Sequence, residues 1–118
     1  MKKLFSLLFA VVLIVSLPPI SPTSAATKDL KVHFINVGQG DSILVQAPGG
    51  KNMLIDGGPK GAGDDVVAFL KSKGVKSLDY VVATHPDADH ISGLIDVLNT
   101  FKVNHFIDSG KLILLKHT

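Results

Sequence analysis

The chain has 118 residues, 12 Lys and 10 Asp, with no Arg, Glu or Cys, which fits one small domain and excludes disulfide stapling and a lipid-modified cysteine anchor. Lys2 and Lys3 account for the whole net charge of +2, since ten Lys and ten Asp remain beyond them. Without a basic field or a bidentate arginine, the composition argues against a stand-alone nucleic-acid-binding module.

In chain order, Lys2 and Lys3, the apolar run Leu4 to Leu17 and the small residues Ser24-Ala25-Ala26 have the three-part form of a secretory signal. Residues 1–26 are therefore expected to direct export and to be cut near Ala26, leaving 27–118 as one secreted domain with no stable membrane span. An amino-terminal membrane anchor is the competing reading. The apolar run falls short of the ~20 residues that cross a bilayer, and Pro18-Pro19 ends it.

Lys31 to Val37 and Ser42 to Gln46 are strand-like runs parted by Gly38-Gln39-Gly40, and Pro48-Gly49-Gly50 turns the second into Asn52 to Ile55, which predicts an antiparallel meander. His33, on the first run, reads as a partly buried strand residue. Asp64 is expected to cap a helix whose apolar face is Val66, Val67, Phe69 and Leu70, with Gly74 just past its end. Leu78 to Ala83 reads as a buried strand. Asp89 is a candidate cap for a helix starting near His90, which carries Ile91, Leu94, Ile95 and Leu98 at helical spacing and runs to about Thr100. Val103 to Ile107 is strand-like, and Leu112 to Leu115 is a further apolar run. Gly38-Gln39-Gly40 and Gly58 to Gly63 lack the residues of a dinucleotide fingerprint or a P-loop, so both read as turns.

Between the strand and the last helix stands His85-Pro86-Asp87-Ala88-Asp89-His90. Imidazole nitrogens and carboxylate oxygens are the side-chain groups that bind Zn²⁺, Mn²⁺ or Fe²⁺. Four of them within six residues, on a strand-to-helix loop at a sheet rim, form a metal-site pattern. A capping role for Asp89 explains one carboxylate and leaves His85, Asp87 and His90 without one. Pro86 biases His85 toward extended backbone, and Gly93 permits close approach of the following helix.

Together with Val32 to Ser42 and Leu54-Ile55-Asp56-Gly57-Gly58, this hexapeptide resembles the metallo-β-lactamase superfamily, most closely its ComEC-like, competence-protein-like branch. The resemblance covers about Leu30 to Gly110. The usual pattern of the superfamily is His-x-His-x-Asp-His; Asp87 stands at its second His, and a carboxylate there favours harder ions such as Mn²⁺ without excluding Zn²⁺.

The resemblance implies an α/β fold, namely the amino-terminal αβ half of the four-layer αββα sandwich. It assigns His85 and Asp87 to one metal and Asp89 and His90 to a second, with Asp89 also orienting a metal-bridged hydroxide. It further gives Asp56 a supporting place behind the histidines; an Asp that merely opens the Gly57-Gly58 turn is the plainer reading. The implied activity is metal-dependent hydrolysis, of a phosphodiester or nucleic acid rather than a β-lactam. The complete site needs a later His, a bridging Asp and a further His, and neither His105 nor His117 stands in such a context. The expectation is therefore a chain truncated to one half, with an uncovered sheet prone to self-association and no activity alone. A non-catalytic remnant or binding domain, and a component of DNA uptake, are the alternatives.

Overall fold

The computed structural model describes residues 29–110. The signal-like residues 1–26, the Leu112 to Leu115 run and His117 lie outside that range. Five strands form one sheet in the order β1 (Lys31–Phe34), β2 (Ile43–Gln46), β3 (Asn52–Ile55), β4 (Ser77–Ala83), β5 (Lys102–Asp108). The first three are the expected antiparallel meander, while β3, β4 and β5 run parallel. Parallel neighbours need crossovers. These are helix α1 (Gly63–Ser72) and the pair α2 (Ala88–Ile91) and α3 (Leu94–Thr100).

Three local expectations are corrected. The first strand stops at Phe34 rather than Val37, because the Asn36 side chain accepts from Gly38 N at 3.1 Å, and Gly38 and Gly40 then take φ of 79° and 82°. A side-chain turn competes there with the ladder. Asp64 does not cap α1: the cap position is Ala62, with no side-chain cap bond. Asp64 and Asp65 instead fill the first turn, where carboxylates favour the positive end of the helix. Asp89 likewise caps nothing. The cap position of α2 is Asp87, and Asp89 lies in the first turn.

The last helix is also broken, into α2 and α3 at Ser92-Gly93. Gly93 N donates to Gly58 O at 3.0 Å, and a Cβ on Gly93 would collide with the Gly57 carbonyl. Backbone thus packs directly on backbone at this point. Gly57 is restricted in the same way, since its Cβ would meet Leu94 N at 2.6 Å. These two glycines seat the metal-motif loop against the end of β3.

One face of the sheet carries the core. Leu44, Leu54 and Val81, aligned across β2, β3 and β4, are fully buried against Val66 and Leu70 of α1 and Leu94 and Val97 of α3. His33 continues this row on β1, half-buried as expected, bonded to Gln46 at 3.2 Å and edge-on to Phe69. The opposite face is apolar as well. Register aligns Phe34, Ile43, Ile55, Val82 and Ile107 across all five strands, and none of the five is buried, with Phe34 at 78% exposure and Ile107 at 48%. Among the described residues nothing covers this row, and no helix is long and apolar enough to cross a membrane.

Candidate metal centre

The carboxyl ends of β3 and β4 lie side by side because Ile55 pairs with Val82. The chain leaves β3 through Asp56, whose N–H donates to Val82 O at 2.8 Å and whose φ is +57°, the one positive value at a non-glycine residue among those described. Asp tolerates this region better than most side chains. The turn aims its carboxylate under the loop that leaves β4.

That carboxylate is 2% exposed and serves three donors. Thr84 N reaches Oδ1 at 2.8 Å, the Thr84 hydroxyl reaches Oδ2 at 2.6 Å, and His90 Nδ1 lies 3.1 Å from Oδ2. The Thr84 oxygen in turn sits 2.8 Å from His85 Nδ1. Both imidazoles therefore engage their partners through Nδ1. Their rings lie 3.9 Å apart between centroids, and ligand atoms of Asp56, His85 and His90 fall within 4.8 Å of one another.

The other two candidates flank the outward sides of the rings. Asp87 Oδ2 is 3.5 Å from His85 Nε2, and Asp89 Oδ2 is 3.9 Å from His90 Nε2. The hexapeptide thus presents two His–Asp pairs, one per imidazole, at the mouth of the sheet. Backbone bonds hold three loops to one another here: Gly57 N donates to His90 O at 2.7 Å and Gly58 N to Asp41 O at 3.0 Å. His90 is 14% exposed and His85 40%.

Two residues at the site were not singled out in the sequence. Thr84 lies between the strand end and His85, a position marked only by adjacency to a ligand-type residue. Asp41 approaches His90 Nδ1 at 3.8 Å and is well exposed; its signal was the Gly40-Asp41-Ser42 turn. Ser42 is buried beside it and donates to the Asp56 carbonyl at 3.1 Å.

With this geometry in place, the comparisons decide the family. The model described as "Metallo-beta-lactamase superfamily" matches residues 35–117. The chain belongs to that superfamily. Its mixed sheet with helices on one face is one αβ half of the metallo-β-lactamase fold. It is also 35% identical over 94 residues to ComE operon protein 3 of Bacillus subtilis (strain 168), a likeness to the ComEC-like branch. The match covers 65% of this chain and 12% of that protein. Metallo-β-lactamase superfamily proteins generally use divalent metals, and the donor set here fits one: imidazoles held through one nitrogen, carboxylates against the other, and a buried acidic group behind.

Proposed function

We propose that the chain is the ligand-bearing part of an exported, metal-dependent hydrolase acting on a phosphodiester, with His85, Asp87, Asp89 and His90 as first ligands. The observation that carries this reading is the two-sided arrangement of His85 and His90, each engaged through Nδ1 and each facing a carboxylate with Nε2. A divalent ion bound there supplies Lewis acidity and a water acidic enough to attack at neutral pH. The chain's own contribution is positional. Asp89 would orient the attacking water, Asp56 holds His90, and the close approach of Gly57 and Gly93 seats the loop. Zn²⁺ or Mn²⁺ suits a mixed nitrogen and oxygen set.

Four ligands are fewer than two ions require, so one loosely held ion per chain is the expected result of calorimetric titration with Zn²⁺ or Mn²⁺ after metal stripping. Asp89→Ala and His90→Ala should each weaken it by at least about 10-fold. The same preparation should not turn over bis(p-nitrophenyl) phosphate or a β-lactam. Absence of binding in the wild-type chain would leave a non-catalytic domain as the better reading. Two ions retained through dialysis, or chelator-sensitive turnover, would show that the chain's site is complete.

Export rests on the pattern of residues 1–26, which precede a domain of residues 27–118. Mass spectrometry of culture medium should find material beginning near Ala26 or Thr27. Recovery of intact chain solely in the membrane fraction would establish the anchor instead.

A further inference from the structure

We infer that Thr84 is a positioning residue that fixes the tautomer of His85, so that one buried carboxylate, Asp56, sets the ring orientation of both histidines. The inference rests on the metal reading above for its purpose, and on hydrogen-bond geometry alone for its substance. Thr84 has a single hydroxyl proton. A carboxylate only accepts, so the 2.6 Å contact between Thr84 Oγ1 and Asp56 Oδ2 consumes that proton. Toward His85 the same oxygen has only lone pairs left. The 2.8 Å contact with His85 Nδ1 must then be donated by the ring, which places the His85 proton on Nδ1 and the lone pair on Nε2.

For His90 the argument is direct, since its Nδ1 lies 3.1 Å from the same carboxylate oxygen. The two histidines are therefore treated differently: Asp56 holds one itself and the other through a threonine hydroxyl. Position explains the difference. His85 follows Thr84 on the chain as it leaves β4, so the threonine hydroxyl stands between its ring and Asp56, while His90 reaches back from α2 to the carboxylate itself. The Thr84 backbone N–H on Asp56 Oδ1 at 2.8 Å fixes the hydroxyl's own residue, so the relay is anchored at two points. A hydrogen bond to an ionised acceptor is stronger than a neutral one, which keeps the hydroxyl aimed at Asp56 although Thr84 itself is exposed.

The test is the tautomer of each histidine, read by ¹⁵N nuclear magnetic resonance on the metal-free 118-residue chain at alkaline pH. In the wild-type chain both His85 and His90 should carry the proton on Nδ1. In Thr84→Val the His85 proton should move largely to Nε2 while His90 stays as it was, which also reports an intact fold. Thr84→Ser should restore the wild-type pattern. Titration of the same three proteins with ZnCl₂ should show about a 10-fold loss in Thr84→Val and recovery in Thr84→Ser. An unchanged His85 tautomer in Thr84→Val, or a proton on Nε2 in the wild type, overturns the inference. Failure of the wild type to bind zinc while the tautomers behave as stated would sink the metal reading and leave the orienting role of Thr84 established.

Discussion

Asp56→Asn should give a folded chain that no longer binds Zn²⁺ or Mn²⁺ measurably, whereas Asp56→Ala should lose most of its stability. The two outcomes separate two tasks of one side chain. In the alanine variant the Thr84 N–H, the Thr84 hydroxyl and His90 Nδ1 all lose their acceptor. A buried polar group left unpartnered costs about 1–3 kcal/mol. Alanine also tolerates φ of +57° poorly, at about 1–2 kcal/mol. Because Thr84 is exposed and water replaces part of its loss, about 3–5 kcal/mol is the expected total. A domain of this size holds roughly 4–12 kcal/mol, so urea unfolding should show a much lowered or vanished transition.

Asparagine keeps the shape, tolerates the same backbone and still accepts from Thr84 N. Its amide, however, donates where Oδ2 accepted. The Thr84 hydroxyl can rotate to meet it, but His90 must turn a bare Nδ1 toward the amide and carry its proton on Nε2. That nitrogen then repels a cation. Stability should stay within about 2 kcal/mol of wild type, while ion affinity falls by about 100-fold. Wild-type affinity in Asp56→Asn would show that the carboxylate does not control His90.

The sequence exposed the metal motif because four ligand-type residues stand together in it, and the meander because glycines and prolines punctuate alternating apolar runs. Parallel pairing of β3 with β4 was implicit in the helix between them. The break between α2 and α3 was hidden for a physical reason. Ile91, Leu94, Ile95 and Leu98 keep helical spacing across it, and at the interruption Gly93 N donates to the carbonyl of Gly58, more than thirty residues earlier, rather than within the helix. Capping failed likewise. Asp64 and Asp89 are suitable cap residues, but Val66 N bonds the Ala62 carbonyl and His90 N the Asp87 carbonyl, so each helix starts earlier. Thr84 was illegible because its role exists only once β3 delivers Asp56 beneath it. For the helix break and for Thr84 the missing information was a long-range contact.

The apolar sheet face should make the 118-residue chain self-associate, and Phe34→Lys or Ile107→Lys should reverse it. Parallel strands are ordinarily covered on both sides, yet among the described residues the helices cover one. Five strands about 4.8 Å apart and four residues of about 3.3 Å give a footprint of roughly 24 by 13 Å. This planar footprint of roughly 300 Å² is a lower bound on the area available, against the ~800 Å² per partner of a standard-size interface. No charged side chain stands in the row from Phe34 to Ile107, so two copies meeting face to face would bury no unpaired charge. Light scattering coupled to size exclusion should therefore report a dimer or larger species. Each lysine would place a charge opposite apolar groups of the second copy, and the loss of Phe34 burial alone is worth about 1.5–3 kcal/mol. Dissociation should become about 100-fold easier. If both variants associate as strongly as the wild type, the contact runs through another surface, residues 4–17 being the first to delete. A wild-type monomer with slow amide exchange along β1 and β5 would mean that the chain covers this face itself.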